Sequence, residues 1–442
     1  MPDTPPPPVA AHPLLILLLD VGLLLGLAFL LGRAATRIGM PAVVGELSVG
    51  IVLGPSLLQN VLPDLSNWLF PPNPEQMHLL DATGQFGALM LVALTGVSID
   101  TALLRRRMGT AAGVSTAGLV IPLALGIAAG TQLPTSYFGE GVDRPVFALF
   151  LGVAMCVSAL PVIAKTLHDL RMMHRNVGQL TLIAGTADDA FGWLMLSVVA
   201  AMATVGVKLS NVGLSVLYLV LIAAFAATVG RPLTRFLYRF TERSQDTGGT
   251  SALTVILIFL AAAGTQAMGF EAVLGAFVAG ILIGSASGVT PSRLAPLRLL
   301  VMSVFAPLFF AIAGLRMDLT LLGEPEVLLV AVLVLALAIV GKFAGAYIGA
   351  RLCRLNRWEA IALGAGMNAR GVIEVIVAMV GLRLGVLNTR TYTIIVLVAI
   401  VTSLMAPPIL KWAVRHIEYT AEEEARRNAQ AAYDAVPTGQ ST

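Results

Sequence analysis

Hydrophobic positions along this chain fall into long unbroken runs separated by short polar connections. Thirteen runs stand out, at 14–34, 41–58, 80–99, 108–130, 146–168, 177–204, 209–230, 250–268, 271–287, 298–316, 325–349, 358–382 and 391–414. Most are about 20 residues long, the length an α-helix needs to cross a bilayer. A transmembrane barrel gives short alternating segments instead. The pattern therefore predicts an all-α polytopic membrane protein of about 13 transmembrane helices. Residues 1–13 are Pro-rich and lack the basic start of a signal peptide, so they read as a disordered tail. Residues 417–442 are polar and read as a C-terminal tail.

Composition agrees with this reading. Hydrophobic residues make up 57% and charged residues 12% of the 442, with a mean hydropathy of +0.86. An ordinary soluble domain carries about 25% charged residues. An ordinary soluble enzyme, a disordered chain and a nucleic-acid binder are excluded. The Arg105–Arg107 run lies beside a span and acts as a topology anchor. Cys156 and Cys353 are far apart, in no metal-ligand spacing, and read as packing residues.

Where the basic residues sit sets an orientation. With thirteen spans and the N-terminus outside, 21 of the 28 Lys and Arg fall in cytoplasmic segments and 5 in outer ones. That bias predicts an N-terminus outside and a cytoplasmic C-terminus.

The chain also repeats itself. Pro41-Ala-Val-Val-Gly45 with Gly50-Ile-Val-Leu-Gly54 is echoed by Glu271-Ala-Val-Leu-Gly275 with Gly280-Ile-Leu-Ile-Gly284. Gly96-Val-Ser-Ile-Asp100 is echoed by Gly314-Leu-Arg-Met-Asp318, and Ser158-Ala-Leu-Pro161-Val-Ile163 by Asn368-Ala-Arg-Gly371-Val-Ile373. Each pair lies seven spans apart. Seven is odd, so the second copy enters the membrane upside down. The expected organisation is two inverted six-helix repeats, 14–204 and 250–416, joined by a linking helix at 209–230. Such repeats are characteristic of secondary transporters, whose sites lie where interrupted helices meet near the midplane. Ser158 and Pro161 in the fifth span, with Asn368 and Gly371 in the twelfth, are the expected helix breaks.

Charge inside a span costs about 2.5–3.5 kcal/mol on insertion scales. Gly185-Thr186-Ala187-Asp188-Asp189 places two adjacent carboxylates in the sixth span. They border one cavity and cannot both ionise cheaply in low dielectric, so they titrate as a coupled unit. Such a pair holds either protons or a monovalent cation, which is the competition an antiporter needs. Lys342, one of four lysines, lies deep in the eleventh span and calls for a carboxylate partner; Asp188 is the expected one. Arg370 and Glu374 share a helix face and read as a supporting pair that neutralises itself beside the break. Glu46 either lines the cytoplasmic approach or seals a helix contact. Asp20 reads as a packing or dimer-contact residue, and Asp100 and Asp318 as interfacial caps. His168 and His174 read as solvated histidines at a span end.

With these residues in place, the sequence resembles the monovalent cation:proton antiporter-2 family of the cation/proton antiporter superfamily, which includes bacterial Na⁺/H⁺ exchangers. The motifs that carry the resemblance are Gly45-Glu-Leu-Ser-Val-Gly-Ile-Val-Leu-Gly-Pro55, Ser158-Ala-Leu-Pro-Val-Ile-Ala164, Asp188-Asp189 and Asn368-Ala-Arg-Gly-Val-Ile-Glu374. The resemblance implies crossing discontinuous helices in the core, a homodimer, and a core that moves like an elevator. It implies that Asp189 is the main cation and proton carrier, with Asp188 as second ligand, and that Asp188 pairs with Lys342 in the ion-free state. Thr186 would line the cavity. Electrogenic members of the family carry an Asp-Asp pair with such a Lys, so the resemblance implies electrogenic exchange of Na⁺ or Li⁺ for protons in a plasma (inner) membrane. No cofactor, nucleic acid or nucleotide-binding domain in this chain is expected. A K⁺/H⁺ antiporter or cation-linked metabolite exporter of the same fold is the alternative, and a cation channel is the alternative class.

Overall fold

The computed structural model describes residues 10–71, 73–97, 108–170, 172, 174–205, 217–218, 220–244, 247–286, 291–421 and 423–424. Of the expected tail at 1–13, residues 1–9 lie outside them, as do Asp100, the Arg105–Arg107 run, part of the linking segment and residues 425–442; residues 11–13 instead begin the first helix, which starts at Ala11.

The described residues are nearly all helical. The helices are α1 (Ala11–Arg37), α2 (Ala42–Leu53), α3 (Pro74–Val97), α4 (Met108–Gln132), α5 (Arg144–Cys156), α6 (Leu160–Asp169), α7 (Asn176–Val205) and α8 (Arg231–Ser244). They continue with α9 (Thr247–Ala267), α10 (Ala272–Gly284), α11 (Pro291–Leu300), α12 (Ala306–Leu315), α13 (Pro325–Leu352), α14 (Arg357–Met367), α15 (Val372–Arg383) and α16 (Thr389–Val414).

Among the described residues, ten of the expected spans are long and apolar enough to cross a membrane on their own. The twelfth is a bent pair: α14 and α15 meet at 42° across a short break. The fifth and ninth do not qualify. The fifth divides into α5 and α6 around residues 157–159, and α10 has only 13 residues. At 1.5 Å per residue α10 spans about 20 Å, short of a bilayer core of about 30 Å. The linking helix runs further along the chain than hydropathy predicts, through Val220–Arg239, because an amphipathic stretch continues it beyond the apolar run.

Two π-helical turns, Ala226–Gly230 and Val301–Phe305, stand just before Pro232 and Pro307. Proline lacks the N–H that would continue the α-helical ladder, and the turn before it widens.

The helices sort into two bundles. One packs α1, α2, α3, α9, α10 and α12 together; the other packs α4–α7 with α13–α16. Within the first bundle, contacts come in matched pairs. A Cβ on Gly50 of α2 would lie 2.0 Å from the Ala311 carbonyl oxygen of α12, and one on Gly280 of α10 would lie 2.1 Å from the Ala93 carbonyl oxygen of α3. A Cβ on Gly314 would meet the Leu47 carbonyl oxygen at 2.2 Å, and one on Gly96 the Phe277 carbonyl oxygen at 2.5 Å. Each contact occurs twice, between residues that occupy the same positions in the repeated motifs. Only glycine permits backbones to cross this closely, so the repeated glycines set the helix packing.

Candidate functional site

The second bundle holds the expected charges, and its geometry starts from two helix ends. α5 stops at Cys156 and α6 starts at Leu160; α14 stops at Met367 and α15 starts at Val372. The two interruptions cross. The Ala159 N–H donates to the Ala369 carbonyl at 3.1 Å, and the Ser158 hydroxyl donates to the Met367 carbonyl at 2.8 Å. Pro161 is not the break itself. It occupies the first turn of α6, where a missing N–H leaves nothing unsatisfied. Gly371 has φ +148°, a conformation that disfavours a side chain, and leads into α15.

Stopping α5 early leaves carbonyls without helical partners. Two buried cations take them. Lys342 of α13 donates to the Cys156 carbonyl. Arg370 donates to the Met155 carbonyl at 2.5 Å, to the Ala338 carbonyl of α13 at 3.0 Å, and to Glu374 at 3.1 Å. Cations at a helix C-terminus also complement its dipole.

Asp188 is fully buried in the middle of α7 and saturated. Its Oδ2 accepts from Lys342 and lies 3.0 Å from the Ser158 hydroxyl, whose single proton it shares with the Met367 carbonyl, and its Oδ1 accepts from the Ser115 hydroxyl of α4 at 2.6 Å. Asp189 is equally buried, yet neither of its oxygens has a hydrogen-bond partner among the described residues. The Leu160 N–H, at the start of α6, acts on its carboxylate. An isolated buried carboxylate needs a proton or a cation. Asn368, one residue before the crossing, is also buried, with neither amide atom hydrogen-bonded among the described residues.

The structure thus brings Asp188, Lys342 and Ser158 into contact and places Asn368 and Gly371 at the crossing. Arg370 and Glu374 form their own pair while also tying α15 to α5 and α13. Thr186 donates to the Leu182 carbonyl of its own helix at 2.9 Å. Glu46 is held apart from the crossing, against Gly32 of α1. Asp20 is buried on α1 with Oδ1 unpartnered. Asp318 caps the short turn Leu319–Gly323 through the Thr320 N–H at 3.0 Å.

Sequence reasoning missed Ser115. A serine in an apolar span is common, and nothing in its spacing links it to Asp188. It also missed the joint between the bundles. There a cavity of about 200 Å³ lies between α3, α10, α12 and α15, lined in part by Asp81, Arg316 and Arg383. Arg316 pairs with Asp81 at 2.6 Å, and Arg383 pairs with Glu271 at the start of α10. Asp189 does not line this cavity.

The family model described as sodium/hydrogen exchanger, transmembrane, matches residues 23–416. The chain is 30% identical to the Na⁺/H⁺ antiporter NhaS4 of Synechocystis over 90% of this chain and 97% of that protein. It is 26% identical to the K⁺/H⁺ antiporter 1 of Saccharomyces cerevisiae over 90% of this chain, but spans only 46% of the yeast protein. In fold it is similar to the sodium proton antiporter MjNhaP1 of Methanocaldococcus jannaschii, with a TM-score of 0.67, 15% identity, and coverage of 91% and 99% of the two chains. The family match, the helical fold and the buried acidic site agree: the chain belongs to the sodium/hydrogen exchanger family, and it is a multi-pass membrane antiporter whose substrates are a monovalent cation and protons.

Proposed function

We propose that this chain exchanges Na⁺ or Li⁺ for protons electrogenically, with Asp189 as the carrier and Asp188 as its switchable neighbour. One observation carries the reading: Asp189 is buried with no hydrogen-bond partner among the described residues, beside an Asp188 already held by Lys342. In the proton-loaded state Asp189 carries a proton and the Asp188–Lys342 pair is neutral. A bare cation arriving at Asp189 draws on Asp188 as a second oxygen ligand, since a hard cation binds oxygen and negative charge. Lys342 then loses its counter-charge and releases its proton. Two protons leave for one cation, and the loaded site differs from the protonated site by one charge. The Asn368 amide oxygen, buried beside the crossing and without a hydrogen-bond partner among the described residues, is the further candidate ligand for the cation's shell.

The duplicated glycine contacts support two inverted repeats, 14–204 and 250–416, joined by the linking helix. The division into two bundles supports alternating access in which the α4–α7 and α13–α16 bundle moves as an elevator against the other. In this reading the protein works as a homodimer in the plasma (inner) membrane, N-terminus outside and C-terminus cytoplasmic.

The test is a cation scan in proteoliposomes, following internal pH with a dye. Na⁺ and Li⁺ should drive proton movement and a membrane current. Similarity to the yeast K⁺/H⁺ antiporter makes K⁺ the competing cargo. K⁺-driven exchange with no response to Na⁺ or Li⁺ would replace the Na⁺ reading.

A further inference from the structure

The segment that follows α16 folds back onto the start of α7, and a buried polar socket joins the two. Arg175 directly precedes α7 and is only 8% exposed. Its guanidinium donates to the Ile417 carbonyl at 3.0 Å, approaches Glu423 at 3.4 Å and lies 4.6 Å from the centroid of the Tyr419 ring. Glu423 is 1% exposed. Its Oε1 accepts the Asn176 N–H at 2.6 Å, and its Oε2 accepts the Thr420 N–H at 2.9 Å. One carboxylate therefore serves two chain segments. It accepts from the N–H at the first residue of α7, where capping groups are needed. It also closes a Thr-x-x-Glu capping box with Thr420, whose hydroxyl accepts from the Glu423 N–H at 3.3 Å.

The same segment holds a third helix. His416 stacks on Trp358, in the first turn of α14, with ring centroids 4.0 Å apart and 13° between the planes. The ends of α7, α14 and α16 are therefore fastened together. α7 carries Asp188 and Asp189, and α14 runs to the crossed break. None of the clamp residues lies on a helix of the other bundle.

We propose that Glu423 and Arg175 are positioning residues for transport: the clamp they form sets the register of α7 against α14, and with it the cation affinity of a site many residues away. Burial works against the charge on Glu423. The Thr420 and Asn176 N–H groups and Arg175 outweigh it and hold the carboxyl below its ordinary range, so the clamp stays charged near neutral pH.

The inference rests on the reading of Asp189 as the carrier, and the experiment separates the two. Cation-driven exchange is measured in proteoliposomes for the full chain and for Glu423→Gln, Glu423→Asp, Arg175→Ala and the double variant Arg175→Ala/Glu423→Gln. The Gln substitution keeps shape and removes charge. The expected result is a rise in apparent KM for the cation of about five- to tenfold with Vmax within about twofold, the lower end of coupling between linked sites. Glu423→Asp should recover part of the loss, and the double variant should match the single ones. Hydrogen exchange on the purified protein gives a second measure, with faster exchange at the start of α7 in Glu423→Gln. Unchanged KM in both Glu423→Gln and Arg175→Ala overturns the proposal, even if their melting temperatures fall. An Asp189→Asn control that still exchanges cations would instead remove the carrier reading.

Discussion

Ala159 and Ala369 meet main chain to main chain, with the N–H of one donating to the carbonyl of the other at 3.1 Å. They occupy the same position in the two halves of the repeated Ser158–Ile163 and Asn368–Ile373 motif. Both helix breaks therefore pass through one point, and the backbone there is unwound on both strands of the crossing.

This crossing depends on Gly371. A Cβ at φ +148° would be strained and would sit 3.0 Å from both the Ser403 hydroxyl oxygen and Val162 Cγ2. Gly371→Ala should cost about 1–3 kcal/mol. Thermal unfolding in detergent should show a lower melting temperature, and exchange in proteoliposomes should slow. Melting and exchange at wild-type values would show that the break does not require glycine.

Lys342 and Asp188 form a buried pair, and removing one partner strands the other. Lys342→Ala should destabilise the protein by about 3–5 kcal/mol. Adding Asp188→Asn should return much of that stability, because the stranded charge disappears. If the double variant is less stable than Lys342→Ala alone, the two residues do not act as a pair. In the same preparation, Lys342→Ala should abolish or reduce the current per cation exchanged.

The duplicated packing predicts matched responses. Gly50→Val and Gly280→Val each force a side chain into a backbone carbonyl. Each should lower stability by about 1–3 kcal/mol or more, and by similar amounts. A large loss in one with full tolerance in the other would show that the two crossings are not equivalent.

The Glu423 clamp has a definite acid limit. Its carboxyl is held below the ordinary value of 4.5 in the folded protein. A lowered folded value contributes stability above the unfolded pKa and loses it as pH falls through the folded one. The melting difference between wild type and Glu423→Gln should stay constant from about pH 6 to 8 and shrink as pH falls below about 4.5. A difference that changes across the neutral range would mean that another group drives it.

Much of the architecture is legible in the sequence because membrane helices announce themselves by length and hydropathy. The exceptions follow from the same physics. α10 is too short to count as a span by length, and the linking helix continues as an amphipathic stretch that hydropathy alone truncates. Asp188, Asp189 and Lys342 are conspicuous because charge in lipid is costly. The hydroxyl of Ser115 is not conspicuous, since serine is cheap in a packed helix and its partner is set by tertiary packing. Pro161 shows the limit of local rules. It marks where α6 starts, while the unwound residues lie just before it. The Glu423 clamp is hidden for another reason: the Thr420-x-x-Glu423 signature predicts a local cap, and nothing local says that the carboxylate also reaches Asn176.

The most direct test concerns Asp189. Asp189→Asn keeps its shape and removes its capacity to carry a proton and to offer the cation a negative charge. Purified protein reconstituted in proteoliposomes, with a pH dye inside and a Na⁺ or Li⁺ gradient imposed, should show no cation-driven proton movement in this variant while the wild type exchanges. Exchange at the wild-type rate in Asp189→Asn would contradict the assignment of the buried, unpartnered carboxylate as the carrier.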